Sequence, residues 1–435
     1  MRECDIIVIG TGPGGMDAAA LALKAGLDTV VIERDLLGGT CLNRGCIPTK
    51  ALCRSAAVVN DVKNGDVFGV DIPSFTLNYA AAASRKDEVV AQLRDNVALL
   101  LQKAEIVKGE AKFVASNIVE VNGVQYTASK IVIATGSKCA CLPIEGAELT
   151  IDSDVLLSMT SLPKSMCIIG GGVIGMEFAS ILSAFGVDVT VVEYCKEILP
   201  NFDKDIAKRL RTALTKQGIK FITQAQVTAV KPGKVVEYTA KGKSGEVIAD
   251  EVLMAVGRRP VVPEGAEAVG IELNRGAIKV NEEFMTAIPG VYAIGDVNAS
   301  LMLAHVASAQ ADVVMGGKKN LDVIPAAVFT QPECSMVGLT EEQCKERGLD
   351  ISIGKAMFRG NGKAVSMGET DGLVKVIIDK VSRKILGAHV CGPHAADLIQ
   401  EIAVTMVAAN TVDDIKCTVH GHPTLSEVIA TACEF

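Results

Sequence analysis

The chain has 435 residues, of which 49% are hydrophobic and 22% charged. That is ordinary globular usage over about three domain lengths, and it excludes both a small disulfide-stapled scaffold and a disordered chain. A formal net charge of -8 without any run of five basic residues lacks the footprint of a nucleic-acid binder, and the longest stretch free of Asp, Glu, Lys and Arg, from Val297 to Ala311, is shorter than the roughly 18 apolar residues of a membrane helix.

The N-terminus enters an apolar run at once, leaving no room for a secretory leader. Thirteen cysteines, an odd number spread from Cys4 to Cys433, suit reduced thiols better than a secreted disulfide framework. The chain is therefore expected in the cytoplasm.

The first apolar run ends in Gly10-Thr-Gly12-Pro-Gly-Gly15. An alanine-rich stretch from Met16 to Gly26 follows, then the apolar run Thr29 to Ile32 and Glu33. The order is strand, glycine turn, helix, strand, acid. Gly10 permits the tight turn, Gly12 lets a pyrophosphate approach the backbone, Gly15 lets helix and strand pack closely, and the helix N-terminus favours phosphate charge. Glu33 would accept hydrogen bonds from a ribose hydroxyl. A lone GxGxxG is as often a plain glycine-rich turn; the flanking pattern favours the dinucleotide site.

After Glu33 comes Gly38-Gly39-Thr40-Cys41-Leu-Asn-Arg-Gly-Cys46-Ile-Pro48-Thr-Lys50, then helical patterns from about Ala51 to Lys63 and Tyr79 to Ala104. The C-x4-C spacing has three readings: two unrelated core cysteines, half of a metal or iron–sulfur site, or a redox pair. No third cysteine follows at iron–sulfur spacing, because Cys53 is seven residues past Cys46, and no histidine lies within two hundred residues, so the metal readings fail. Pro48 suits the first turn of a helix, which places Cys46 at a helix N-terminus whose dipole stabilises a thiolate.

The strand Ile131 to Thr135, ending at Gly136, closes this first unit. The same device then recurs as Met166-Cys-Ile-Ile-Gly170-Gly-Gly172-Val-Ile-Gly175, a helix to Gly186, the strand Val189 to Val192, and Glu193; Val252 to Gly257 closes it. In both copies the acid lies 23 residues after the first glycine (33 − 10 and 193 − 170). Two dinucleotide sites in one chain imply electron traffic between two dinucleotides, a flavin and a nicotinamide being the economical pair. A carboxylate at Glu193 favours NAD over NADP. Beyond about Pro332 no nucleotide motif appears. Leu373 to Asp379 and Lys384 to Val390 read as a hairpin, His394 to Ala409 as an amphipathic helix, and Thr424-Leu-Ser-Glu427 as a capping box opening the last helix. Cys139 and Cys141 are expected to be structural.

The string GGTCLNRGCIPTK, the paired glycine motifs, Gly295-Asp296-Val297 and His420-Gly-His422-Pro-Thr-Leu-Ser-Glu427 together resemble the class I flavoprotein pyridine nucleotide-disulfide oxidoreductases, in order and over essentially the whole chain. Among these the resemblance is to the branch that oxidises protein-bound dihydrolipoamide. It implies an α/β fold of two Rossmann-like dinucleotide-binding domains, for FAD (1–142 and 262–331) and NAD (143–261), plus a C-terminal α+β dimerisation domain (332–435). A homodimer and a lipoyl-bearing partner protein are implied with it.

By resemblance Cys41 and Cys46 form a redox disulfide, with Cys41 exchanging with substrate and Cys46 against the flavin. His422 is the base and Glu427 its orienting carboxylate; His420 is the runner-up. Lys50 and Glu177, by default a solvated lysine and a helix-N-terminal carboxylate, match an ion pair beside the flavin. Gly39, Thr40, Lys50, Ala111, Thr135, Gly136, Ser137, Asp296 and Ala304 join the first glycine motif and Glu33 around FAD. Val227 and Gly257 join Gly170, Gly172, Gly175 and Glu193 around NAD. No metal site is expected. Two rivals remain: an NADPH-dependent reductase of a soluble disulfide such as glutathione, and a catalytically silent flavoprotein that serves as a docking subunit.

Overall fold

A computed structural model describes all 435 residues. The chain divides into two compact units: 1–51, 81–140 and 257–321 form one, and 52–80, 141–256 and 322–435 the other.

In the first unit the strand Arg2–Ile9 lies at the centre of a parallel sheet, with Thr29–Glu33 on one side and Val124–Ile133 on the other. Glu105–Lys108 extends one edge, Val291–Ala293 pairs with Val124–Ile133, and an antiparallel meander through Ile118–Val121 and Lys112–Ala115 completes the sheet. The central strand reads as an unbroken apolar run because both faces are covered: Ile7 and Ile9 pack into one core cluster, Ile6 and Val8 into another that holds Ala18, Ala19 and Ala22 of the helix Pro13–Lys24. Small side chains at those three positions let the helix lie close to the sheet.

In the second unit the strands Lys220–Thr223, Asp188–Glu193, Ser165–Ile169 and Glu251–Met254 form a parallel sheet in that order, beside a three-stranded antiparallel sheet spanning 225–248. The same unit holds a five-stranded antiparallel sheet ordered Ala326–Val328, Glu333–Gly338, Ile385–Gly392, Leu373–Asp379, Ile351–Met357. The expected hairpin is its centre, with Val374 opposite Val390 and Val376 opposite Ala388. Those residues and Ile378 form one core with Ile399 and Ile402 of helix Ala395–Val407 and Ile429 of helix Glu427–Ala432. The last helix begins at Glu427 rather than Thr424. The Thr424 hydroxyl donates back to the Gly421 carbonyl at 2.7 Å, so of the expected capping box only the reach of Glu427 to the Thr424 N–H forms, at 2.8 Å. No helix is long and apolar enough to cross a membrane.

Candidate active site

Both glycine turns are built alike. Gly10 and Gly170 take φ of 98° and 110°, and a Cβ on either would lie 2.4 Å from the carbonyl oxygen of Ala134 or Ala255, so only glycine fits. A Cβ at Gly15 or Gly175 would lie 1.9 or 2.1 Å from the carbonyl of Gly10 or Gly170, which is how closely each helix sits on its turn. Beside Gly12 and Gly172, by contrast, the space within 4 Å is open, and each heads a 12-residue helix whose first N–H groups no side chain caps. Open backbone, uncapped donors and the positive end of the helix dipole are what a dinucleotide's diphosphate requires, so the residues present fit one at both turns.

The acids repeat the correspondence atom for atom. Glu33 Oε2 accepts the Thr11 N–H at 2.8 Å, and its Oε1 accepts the Asp35 N–H at 2.9 Å. Glu193 accepts the Gly171 N–H on Oε2 and the Cys195 N–H on Oε1 at 2.6 Å. Each acid is thus held by the residue after the first glycine and by the residue two beyond itself. The first copy has one addition: Thr11 Oγ1 donates to Glu33 at 2.6 Å and accepts the Gly38 N–H at 3.1 Å. The sequence reading missed Thr11; its only signal was a hydroxyl between the two glycines of the turn.

That addition fastens the cysteine segment to the first turn. A Cβ at Gly39 would lie 2.7 Å from Gly12 Cα, so the two backbones pass in contact. Cys41 then sits in the short helix Gly39–Arg44 and Cys46 heads the 18-residue helix Cys46–Lys63, with Pro48 inside its first turn. Asn43 ties the short helix down through the Leu37 and Gly39 carbonyls, both at 2.9 Å, and Arg94 holds the Asn43 amide at 2.9 Å. No disulfide joins any of the thirteen cysteines. The structure brings Cys41 and Cys46 into contact: a hydrogen bond to the Cys46 sulfur, and burial after it, push the Cys41 thiol far above its ordinary range, against a smaller pull from the Lys50 charge.

Ser137 Oγ donates to Asp296 and in turn accepts from Arg258 Nε at 2.7 Å, which fixes the carboxylate at the turn Gly295–Asn298. Thr135 Oγ1 bonds the Val261 carbonyl, and the Val261 N–H reaches the Gly136 carbonyl at 2.9 Å. Ala304 is the first residue of the helix Ala304–Val314, where its N–H has no partner within the helix; Lys50 and Thr40 are half-buried, Ala111 is buried and His305 is exposed. Gly257, at φ 104°, accepts the Ala140 N–H at 2.9 Å.

In the second unit Glu177 is buried in helix Val173–Ala184 and accepts the Phe329 N–H at 3.0 Å, while Val227 is buried at a bulge in the strand Ala225–Lys231. His422 Nδ1 meets Glu427 Oε1 at 2.9 Å, and its side chain is 79% exposed. The Thr424 N–H and then the His422 ring hold the Glu427 carboxyl below its usual range. Glu427 thus fixes one ring nitrogen and leaves Nε2 facing outward. His420 is in the opposite situation: Nε2 is on Glu401 at 2.8 Å, Nδ1 is on the Thr418 carbonyl at 3.0 Å, and the side chain is only 9% exposed. Both its nitrogens are engaged.

Comparison with known proteins bears on the whole chain. Residues 4–311 match the family model described as pyridine nucleotide-disulphide oxidoreductase, and residues 324–433 match that family's dimerisation domain. The chain is 39% identical to a dihydrolipoyl dehydrogenase of Geobacillus stearothermophilus over 99% of this chain and 96% of that protein, and 40% identical to one of Bacillus subtilis over the same shares. A solved structure, the Cu(II) complex of the HOCl-induced flavoprotein disulfide reductase RclA from Escherichia coli, is similar with a TM-score of 0.89 and 30% identity, covering 100% of this chain and 99% of that one.

Proposed function

The chain belongs to the pyridine nucleotide-disulphide oxidoreductases, and on that premise we propose that it oxidises protein-bound dihydrolipoamide to lipoamide with reduction of NAD to NADH, as the cytoplasmic dehydrogenase subunit of a 2-oxoacid dehydrogenase or glycine cleavage complex. The observation that carries this reading is the contact between Cys41 and Cys46 on a segment fastened, through Thr11 and Gly39, to the first dinucleotide cradle.

His422 Nε2 takes a proton from one thiol of dihydrolipoamide, and the thiolate attacks Cys41 Sγ in the Cys41–Cys46 disulfide. Cys46 leaves as a thiolate, stabilised by the N-terminus of its helix. The second substrate thiol then attacks the substrate sulfur of the mixed disulfide, closing lipoamide; Cys41 leaves with the proton that His422 took from the first thiol, and His422 takes the proton of the second. Glu427 holds the ring in one tautomer and steadies its charge throughout. Gly10, Gly12, Gly15 and Glu33, with Asp296 and Ala304, would hold FAD, which would supply the relay of the electron pair from the two cysteines to NAD. Lys50 places a cation where that chemistry gathers negative charge, and Glu193 binds the NAD ribose.

His422 belongs to the matched dimerisation domain and serves the disulfide of the other subunit of a homodimer. We divide the chain as FAD domain 1–142 with 262–331, NAD domain 143–261 and dimerisation domain 332–435. The test is substrate choice. Dihydrolipoamide with NAD should turn over and do so only with both cysteines present, whereas preferential turnover of glutathione disulfide with NADPH would replace this reading by its rival.

A further inference from the structure

Lys375 stands where the sequence pattern puts a core residue. In the strand Leu373–Asp379 its neighbours Val374 and Val376 face the core beneath the two C-terminal helices, and Lys375 faces the other way with a side chain 2% exposed. Its ammonium donates to Asp203 Oδ1 and Oδ2 at 3.0 and 2.9 Å, to Asp205 Oδ2 at 3.0 Å and to Glu341 Oε2 at 2.6 Å. Two of these carboxylates have a second cation: Lys355 at 2.7 Å on Asp205 and Lys345 at 2.5 Å on Glu341. Asp203, 0% exposed, rests on Lys375 for its countercharge.

Asp203 also ends the loop that follows the ribose acid. Glu193 closes its strand, residues 194–202 run on, and Asp203 caps the helix Lys204–Lys216 by accepting the Asp205 N–H at 3.0 Å. Within the loop Leu199, at φ 46°, donates its N–H to the Gly171 carbonyl at 2.8 Å, while Ile198 and Leu199 are buried and the Phe202 N–H returns to Leu199 at 2.8 Å. The loop is held along its length: Cys195 on Glu193 and, through its carbonyl, on the Gln224 N–H, Glu197 on Arg211 of the following helix, Leu199 on the glycine turn, and Asp203 on a lysine and the Glu341 N–H of the dimerisation domain. Burying a lysine among carboxylates costs desolvation that an apolar side chain of the same volume would avoid, so stability alone does not account for a lysine at this position.

We propose that Lys375 is a positioning residue for the NAD site, acting through Asp203 to hold residues 194–203 against the second glycine turn, so that the dimerisation domain sets the shape of the nicotinamide nucleotide's pocket. This rests on the assignment of NAD to that turn. Removing Lys375 alone strands a buried carboxylate and destabilises the protein whatever else it does. The informative variants are therefore Asp203→Asn and the double change Lys375→Met with Asp203→Asn. In the double variant Asp205 keeps Lys355 and Glu341 keeps Lys345, and Asn remains a good cap for the helix.

Three quantities are read on the FAD-loaded dimer: the NADH dissociation constant by titration, the rate of flavin reduction by dihydrolipoamide without NAD, and the melting temperature. The expected result is NADH binding about tenfold weaker in both variants (about 1.4 kcal/mol), with the dihydrolipoamide half-reaction at the wild-type rate. The melting temperature of the double variant should lie above that of Lys375→Met. Wild-type NADH affinity in Asp203→Asn, or a parallel fall of both half-reactions, would overturn the proposal. If Glu193→Gln leaves NADH binding untouched, the site assignment itself fails instead, and the two failures are distinguishable.

Discussion

Replacing Glu193 by glutamine keeps the side chain's shape and removes its charge. In the structure its carboxylate, 6% exposed, accepts the Gly171 and Cys195 N–H groups with one oxygen each. An amide can accept only one of these and turns its NH2 toward the other donor. A hydrogen bond to a charged group contributes about 1.5–3 kcal/mol, so loss of the ribose contact should lower kcat/KM for NAD by about 10- to 150-fold. For NADP the sign reverses. A carboxylate about 4 Å from a 2′-phosphate is repelled by about 4 kcal/mol per unit charge at an effective dielectric near 20, roughly a thousandfold penalty that glutamine does not impose. The NAD-to-NADP ratio of kcat/KM in steady-state assays should therefore fall by at least about a hundredfold, while flavin reduction by dihydrolipoamide is unchanged. An unchanged ratio would refute the placement of the nicotinamide nucleotide at the second turn.

A shared active site predicts recovery in mixed dimers: Cys41→Ser and His422→Gln chains, each inactive, should regain about half the wild-type activity per heterodimer once subunits exchange, and no recovery despite proven exchange would contradict a base acting across the interface. The Lys375 cluster predicts acid sensitivity. Hydrogen bonds from Lys345 and then Lys375 hold the Glu341 carboxyl down at about 2, below the usual carboxylate value of about 4.3, so its contribution is fully present above that value and lost as pH falls toward about 2. The melting-temperature gap between wild type and Glu341→Gln should be widest above about pH 5 and close with acidification; a gap independent of pH would contradict the ion pair.

Both glycine turns and their acids were legible in the sequence because a strand–turn–helix–strand unit fixes the spacing: Gly10 to Glu33 and Gly170 to Glu193 are the same geometric walk. Cys46 at a helix start was legible through Pro48, and the hairpin of Leu373–Asp379 with Ile385–Gly392 through its two apolar runs. What escaped depends on contacts that no local pattern encodes. Thr11 occupies a turn position open to many residues, and its role appears only when Gly38 and Glu33 converge on its hydroxyl. Lys375 and Asp203 are 172 residues apart, so one reads as an interruption of an apolar strand and the other as an ordinary helix cap until the fold joins them. His420 and His422 are separated by one residue, and their burial, 9% against 79% exposed, separates a ring engaged at both nitrogens from one whose Nε2 faces outward.

The central claim is that Cys41 meets substrate while Cys46 faces the flavin, and an anaerobic titration of the FAD-loaded protein with dihydrolipoamide tests it most directly. Wild type should develop a long-wavelength absorption band at two electrons per subunit. Cys46→Ser should bind FAD and never show the band, and Cys41→Ser should show it before any reductant is added. Identical spectra from the two variants, or FAD in the wild-type protein that dihydrolipoamide leaves oxidised, would contradict the account.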